Sequence, residues 1–153
     1  MNLSERIQRD MVAAMKERAD LRLSTLRMMK AAVKNREVDL RQSLDDAAVQ
    51  QVLATMIKQR QDSASQFAAG GRPELAAKEN EEIVIIESYL PRPLSPAEVE
   101  AGVRAAILEL GATSPKDLGK VMKAALARFQ AGQQRVEGAV VSETARRLLG
   151  SAG

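Results

Sequence analysis

The chain has 153 residues, enough for one compact domain or two small ones. Hydrophobic residues make up 45% and charged residues 28%, the balance of a folded globular protein, but only 2% are aromatic (Phe67, Tyr89, Phe129), so the core must be built from Leu, Ile, Val, Met and Ala. The net charge is +3, and with no cysteine and no histidine the chain is excluded from disulfide, thiolate-metal, Cys-nucleophile and Ser-His-Asp chemistry.

A first helix is predicted from about Ser4 to Arg18, where Ile7, Met11, Ala14 and Met15 recur at helical spacing and Asn2 or Ser4 supplies the cap. A second runs from about Asp20 to Arg41, its buried stripe being Leu23, Leu26, Met29, Val33 and Leu40. Ser43 and Asp46 form an S-x-x-D capping pattern opening a third helix, with Val49, Val52, Leu53, Met56, Ile57, Ala64 and Phe67 inward and Gly70-Gly71 at its end. Pro73 opens a fourth, which carries Leu75, Ala76, Ile83, Ile86 and Leu90 and is expected to stop before Pro91. Ile83-Val84-Ile85-Ile86 has strand character, but its acidic flank and the lack of any partner strand favour helix.

Pro91-Arg92-Pro93 then reads as a stiff, extended connector. Beyond it, Ser95-Pro96-Ala97-Glu98 is a capping box with proline at the first helical position, and Ser114-Pro115-Lys116-Asp117 is expected to repeat the device, each cap stabilising its helix by roughly 1 kcal/mol. Helices follow at about 96–110, 115–131 and 138–149, each ending at a glycine. The expectation is an all-α protein: an N-terminal four-helix domain at 1–90, a Pro-rich connector at 91–94 and a small three-helix domain at 95–150.

Charge is unevenly spread. Residues 6–41 hold ten Lys/Arg against five Asp/Glu, residues 73–90 hold Lys78 against five glutamates, and residues 115–153 hold seven basic against three acidic side chains. The N-terminal apolar residues are spaced by charges instead of forming a secretory core, and no run approaches the roughly 20 apolar residues that span a bilayer. A cytoplasmic protein with no membrane association is expected.

Four clusters are candidates for chemistry. Arg27, Lys30, Lys34 and Arg41 lie at i, i+3, i+7 and i+14 of the second helix, a row of cations of the kind that phosphate contacts need, with Arg36 off the line. A solvated face partly paired to the acidic fourth helix would read the same way, and Arg27 beside Leu26 and Met28 also suits a half-buried ion pair. Lys58-Gln59-Arg60, continuing into Gln61, Asp62 and Ser63, is polar enough to touch RNA or protein, as is any exposed helix surface. Gly119-Lys120, with Lys123, Arg128, Arg135, Arg146 and Arg147, forms a second basic region; glycine early in a helix costs up to about 1 kcal/mol against alanine, which suggests close approach of another helix or a ligand. The G-x-x-x-x-G-K-[ST] phosphate-loop frame is absent. Glu79, Glu81, Glu82 and Glu87 crowd one helix in aqueous surroundings, whereas metal or acid–base work needs groups converging from several elements.

The motifs Leu26-Arg27-Met28, Ile57-Lys58-Gln59-Arg60, Gly71-Arg72 followed by Leu75-Ala76, Glu79 and Glu82-Ile83, then Tyr89-Leu90-Pro91 and Gly119-Lys120-Val121-Met122 run in a fixed order along nearly the whole chain. In these the chain resembles the YqeY family, stand-alone relatives of the C-terminal tail of the amidotransferase B subunit that acts on misacylated Glu-tRNA or Asp-tRNA. The resemblance implies an N-terminal helical domain followed by a three-helix domain like that tail, with tRNA as partner. It also implies a family label of carbon–nitrogen ligase with glutamine as amido donor, although the Ser/Lys amidase machinery and the ATP-binding body lie outside the tail. One departure is Gln134-Arg135-Val136-Glu137-Gly138, where the family usually has a G-[KR]-x-D-G turn, and the segment from Met122 to Gly138 is a few residues long.

The reading is therefore a non-catalytic tRNA- or RNA-binding accessory protein with no cofactor, no metal and no catalytic residues, contacting RNA through Arg27, Lys30, Lys34, Lys58, Arg60, Lys120, Lys123 and Arg135. The alternatives are a protein–protein adaptor for an amidotransferase or an aminoacyl-tRNA synthetase, and the ligase of the family label.

Overall fold

The structure, a computed structural model, describes residues 1–132 and 134–151. Among these residues every regular element is helical, apart from one isolated bridge between Pro93 and Arg135. The helices are α1 (Leu3–Glu17), α2 (Asp20–Leu40), α3 (Asp46–Ala69), α4 (Pro73–Glu87), α5 (Pro96–Leu110), α6 (Leu118–Ala131) and α7 (Gly138–Ser151), with a 3-10 turn at Pro115–Asp117 leading into α6. The all-α expectation holds, and Ile83–Ile86 is helical.

The local chemistry explains most boundaries. Asn2 and Glu5 close a reciprocal capping box, the Asn2 Oδ1 accepting from the Glu5 N–H at 2.8 Å. Ser95 and Glu98 close another, and Glu98 also holds Arg92 at 2.8 Å. These contacts, led by the Arg92 hydrogen bond, pull the Glu98 carboxyl down to about 2. Helices α1 and α2 both end on an arginine in the left-handed region, Arg18 at φ 56° and Arg41 at φ 55°, where glycine is the unstrained choice.

Three boundaries differ from the sequence reading. The cap of α3 is Asp45, whose carboxylate accepts from the Ala48 N–H at 2.8 Å, and not Ser43. Ser114 precedes a 3-10 turn but its side chain makes no capping hydrogen bond; Asp117 instead turns back to accept from the Thr113 N–H at 3.2 Å, so the chain enters α6 through that turn. Helix α4 stops at Glu87, short of the expected Leu90, where the Ser88 hydroxyl donates to the Ile85 carbonyl at 2.6 Å and Pro91 disfavours helix at Leu90.

The chain divides into two compact units, Met1–Leu90 and the residues from Pro91 onward. In the first, α1 and α2 form one hairpin and α3 and α4 another, enclosing Ile7, Leu26, Met29, Val49, Leu53 and Ile86. In the second, α5, α6 and α7 enclose Val99, Val103, Val121, Phe129, Val141 and Leu149. Gly102 makes this second core possible: a Cβ there would sit 2.4 Å from the Phe129 ring. No helix of the described residues is long and apolar enough to cross a membrane.

Candidate nucleic-acid interface

The second helix buries Leu26, Met29 and Val33 and turns Arg27, Lys30 and Lys34 outward on a flank of that stripe, as the 3.6-residue period requires. All three cations are exposed. Lys30 is tied to α1 by a hydrogen bond to the Gln8 side-chain carbonyl, while Arg27 and Lys34 form no ion pair among the described residues. Lys30 and Lys34 flank a small open cleft between α1 and α2, about 150 Å³, lined also by Ser4, Ile7, Val33 and Glu37. This cleft does bring a serine, lysines and a carboxylate to one surface. They are not wired together: Lys30 donates to Gln8, and Glu37 accepts from the Leu44 N–H at 3.2 Å. A Ser–Lys nucleophile needs those groups hydrogen-bonded to each other.

The Lys58–Arg60 segment splits in two. Lys58 is exposed. Arg60 lies across the α3–α4 seam, its Nε donating to Glu82 Oε2 at 2.9 Å, one Nη to the Met56 carbonyl at 3.3 Å and the other to the Met28 sulfur at 3.4 Å. The Arg60 and Glu82 side chains are only 12% and 9% exposed, so Arg60 is a structural cation, not an outward one. Glu82 likewise departs from the aqueous carboxylate expected on α4. The half-buried ion pair that the sequence suggested for Arg27 belongs to Arg60. Among the described residues no three carboxylates gather where they could hold a metal ion.

In the second unit, Lys120 and Lys123 are exposed on the first turns of α6 and form no ion pair among the described residues. A Cβ at Gly119 would meet nothing within 4 Å, so the close helix approach inferred from this glycine is not there; its backbone is open to solvent. The glycine under a packing constraint is Gly102, which the sequence reading missed. Arg135 is half-buried, and its carbonyl accepts from the Leu94 N–H at 2.9 Å, so the turn before α7 is stitched to the residues after the prolines.

A network that the sequence reading also missed sits at the end of α4. The Tyr89 hydroxyl donates to Asp10 at 2.5 Å, Arg6 lies over the Tyr89 ring at 4.5 Å and donates to the Ser88 carbonyl at 3.2 Å, and Arg22 stands 3.8 Å from Asp10. Burial and the Asp10 hydrogen bond push the tyrosine hydroxyl up to about 12. Burial opposes the Asp10 charge, but the Tyr89 hydroxyl with Arg9 and Arg22 outweighs it and holds that carboxyl below its ordinary value. The Tyr89-Leu90-Pro91 motif was the available signal, and its role is to fasten the end of α4 onto α1 and α2.

The chain matches the profile of the Yqey-like protein family over residues 4–149. It belongs to that family. Its curated relatives include the protein named Altered inheritance of mitochondria protein 41, mitochondrial, from Lachancea thermotolerans, 32% identical over 90% of this chain and 78% of the relative. The proteins of the same name from Vanderwaltozyma polyspora and Candida glabrata are each 30% identical, covering 90% and 93% of this chain and 79% and 84% of their own lengths. These names overturn the expectation of a cytoplasmic protein: it rested on the absence of a secretory signal and of a membrane-spanning run, and neither distinguishes among compartments inside the cell.

Proposed function

We propose that this YqeY-family chain is a non-catalytic RNA-binding accessory protein, with tRNA the RNA that its resemblance implies. The observation that carries the reading is the row of Arg27, Lys30 and Lys34 along one flank of α2, exposed and held at fixed spacing by a rigid helix. Lys58 in the same unit is also exposed, and the other unit carries exposed cations of its own in Lys120 and Lys123; Arg60 serves the core instead. Released counterions would drive such binding, so affinity for tRNA should fall with salt by a log–log slope of roughly −0.9 per phosphate contacted. Filter binding of tRNA across a salt series tests this. Arg27→Glu with Lys120→Glu should weaken binding at least tenfold and flatten the slope by about 0.9 for each phosphate no longer neutralised. Salt-independent association, or none at micromolar protein, would sink it.

A second reading, a protein–protein adaptor for an amidotransferase or synthetase, is favoured by the groove of about 470 Å³ between α2 and α3, whose lining includes the apolar Leu40, Leu44, Val52 and Met56. A pull-down insensitive to RNase would favour it over RNA binding. Glutamine-dependent amidation by the purified chain alone would establish the ligase of the family label. The setting carried over from the relatives' names is mitochondrial. The two compact units are further proposed to be separate domains, a four-helix one and a three-helix one. Calorimetry should then resolve two transitions, and a single transition with equal calorimetric and van't Hoff enthalpies would argue for one cooperative body.

A further inference from the structure

We infer that the RNA bound by this chain is read through the phosphates of a folded, double-helical region and not through the bases of a single strand; this rests on the RNA reading above. Proteins that hold single strands stack successive bases on exposed aromatic rings, at roughly 1–3 kcal/mol per base. This chain has three aromatic residues and no tryptophan. Tyr89 and Phe129 are each 3% exposed, and Phe67 is half-buried on α3. Tyr89 is doubly committed, with Arg6 over its ring and Asp10 on its hydroxyl. Phe129 fills the space above Gly102. Neither Tyr89 nor Phe129 offers a ring face to a base, which leaves the half-buried Phe67 alone, too few for successive stacking.

The outward groups have the opposite character. No described lysine forms an ion pair, and Lys34, Lys58, Lys120 and Lys123 are point charges on regular helices. Arg27, Lys30 and Lys34 are separated along the α2 axis by rises of about 4.5 and 6 Å, from 1.5 Å per residue. Such a row sits on backbone that is already ordered, so meeting phosphates that a duplex holds in place costs only side-chain freedom. A single strand would have to be ordered against it, with no stacking to offset that cost. Two open clefts in the first unit are lined by apolar, hydroxyl, amide and charged side chains, with no ring to sandwich a base.

The test is a competition binding measurement on the intact protein at fixed low salt. One arm is a blunt RNA duplex of mixed sequence, and the other is unstructured poly(U) with the same number of phosphates. The duplex should bind at least tenfold more tightly, and scrambling its sequence with pairing preserved should change affinity less than twofold. Salt-sensitive binding in which poly(U) equals or exceeds the duplex would overturn this inference while leaving RNA binding intact. A sequence dependence above tenfold among duplexes would also overturn it, because phosphates carry no base identity. Failure of both RNAs to bind at micromolar protein would overturn the RNA reading and this inference with it.

Discussion

The two units solve the same packing problem with different materials. In the first, polar groups are taken inside: the Arg60–Glu82 pair crosses from α3 to α4 with both side chains nearly buried, and the buried Tyr89, just past the end of α4, reaches Asp10 on α1 beside the more exposed Arg22 of α2. In the second, the core is aliphatic around Phe129, and the ion pairs of Arg92, Arg104, Arg128 and Arg147 lie at the surface, those arginine side chains being 50–72% exposed. A buried, directional pair fixes how two helices register, because only one arrangement satisfies both partners; surface pairs contribute little, of order 0–1 kcal/mol. The smaller unit replaces register by shape, through one glycine against one ring.

Breaking these devices should separate the units, and the largest effect is expected at Glu82. Glu82→Ala strands the Arg60 guanidinium in the α3–α4 seam and should cost about 3 kcal/mol in urea unfolding of the first unit. Arg60→Met combined with Glu82→Leu should recover most of it. A cost below about 1 kcal/mol would show that water reaches the pair and that the contrast between units is overstated. Next is Gly102→Ala, which drives a methyl into the Phe129 ring and should destabilise the second unit by about 1–3 kcal/mol; Phe129→Leu in the same chain should relieve part of the strain. An unchanged melting temperature would mean the ring simply swings aside.

The single tyrosine offers a spectroscopic handle on the first unit. With the hydroxyl raised from its ordinary 10.0 to about 12, native protein at about pH 11 should keep Tyr89 largely protonated, while urea-unfolded protein is mostly phenolate by ultraviolet absorbance. A raised acid stabilises the fold below its unfolded value, and that contribution is lost as pH climbs from about 10 toward 12. Asp10 is lowered, so its contribution is full above about pH 4 and lost on further acidification. A native midpoint at 10 would disprove the Tyr89–Asp10 link. The smallest effect is expected at Arg41. Its left-handed backbone is strained for any residue with a Cβ, and Arg41→Gly should raise stability by up to about 1 kcal/mol by chemical denaturation.

Local chemistry made the helices readable: the 3.6-residue stripe, the Asn2 and Ser95 boxes and the glycines at 71 and 111 each act within a few residues of chain. Where two local devices competed, the choice was not legible. The S-x-x-D pattern pointed to Ser43, two residues ahead of the Asp45 that caps α3, and Asp117 can face either the helix ahead or Thr113 behind. Pairings over long separations were out of reach, since nothing within α3 announces that Arg60 faces a residue 22 positions on, or that Tyr89 seeks Asp10 across 79. The same holds for the two helical glycines. Gly102 and Gly119 look alike in sequence, and only the position of Phe129 tells the packed one from the open one. The cations of α2 were legible as a row because helical geometry alone aligns them; which basic residue of the third helix is outward was decided by α4.

The division of labour between the two kinds of cation has a chemical consequence. Among the described residues arginine makes every ion pair and lysine makes none, while Arg27 stays outward with the lysines. Lysine acetylation neutralises one group and cannot touch the other. Progressive acetylation would therefore thin the outer positive charge step by step, down to arginines such as Arg27, without breaking a single ion pair of the described residues, so that the strength of its hold on a polyanion becomes adjustable.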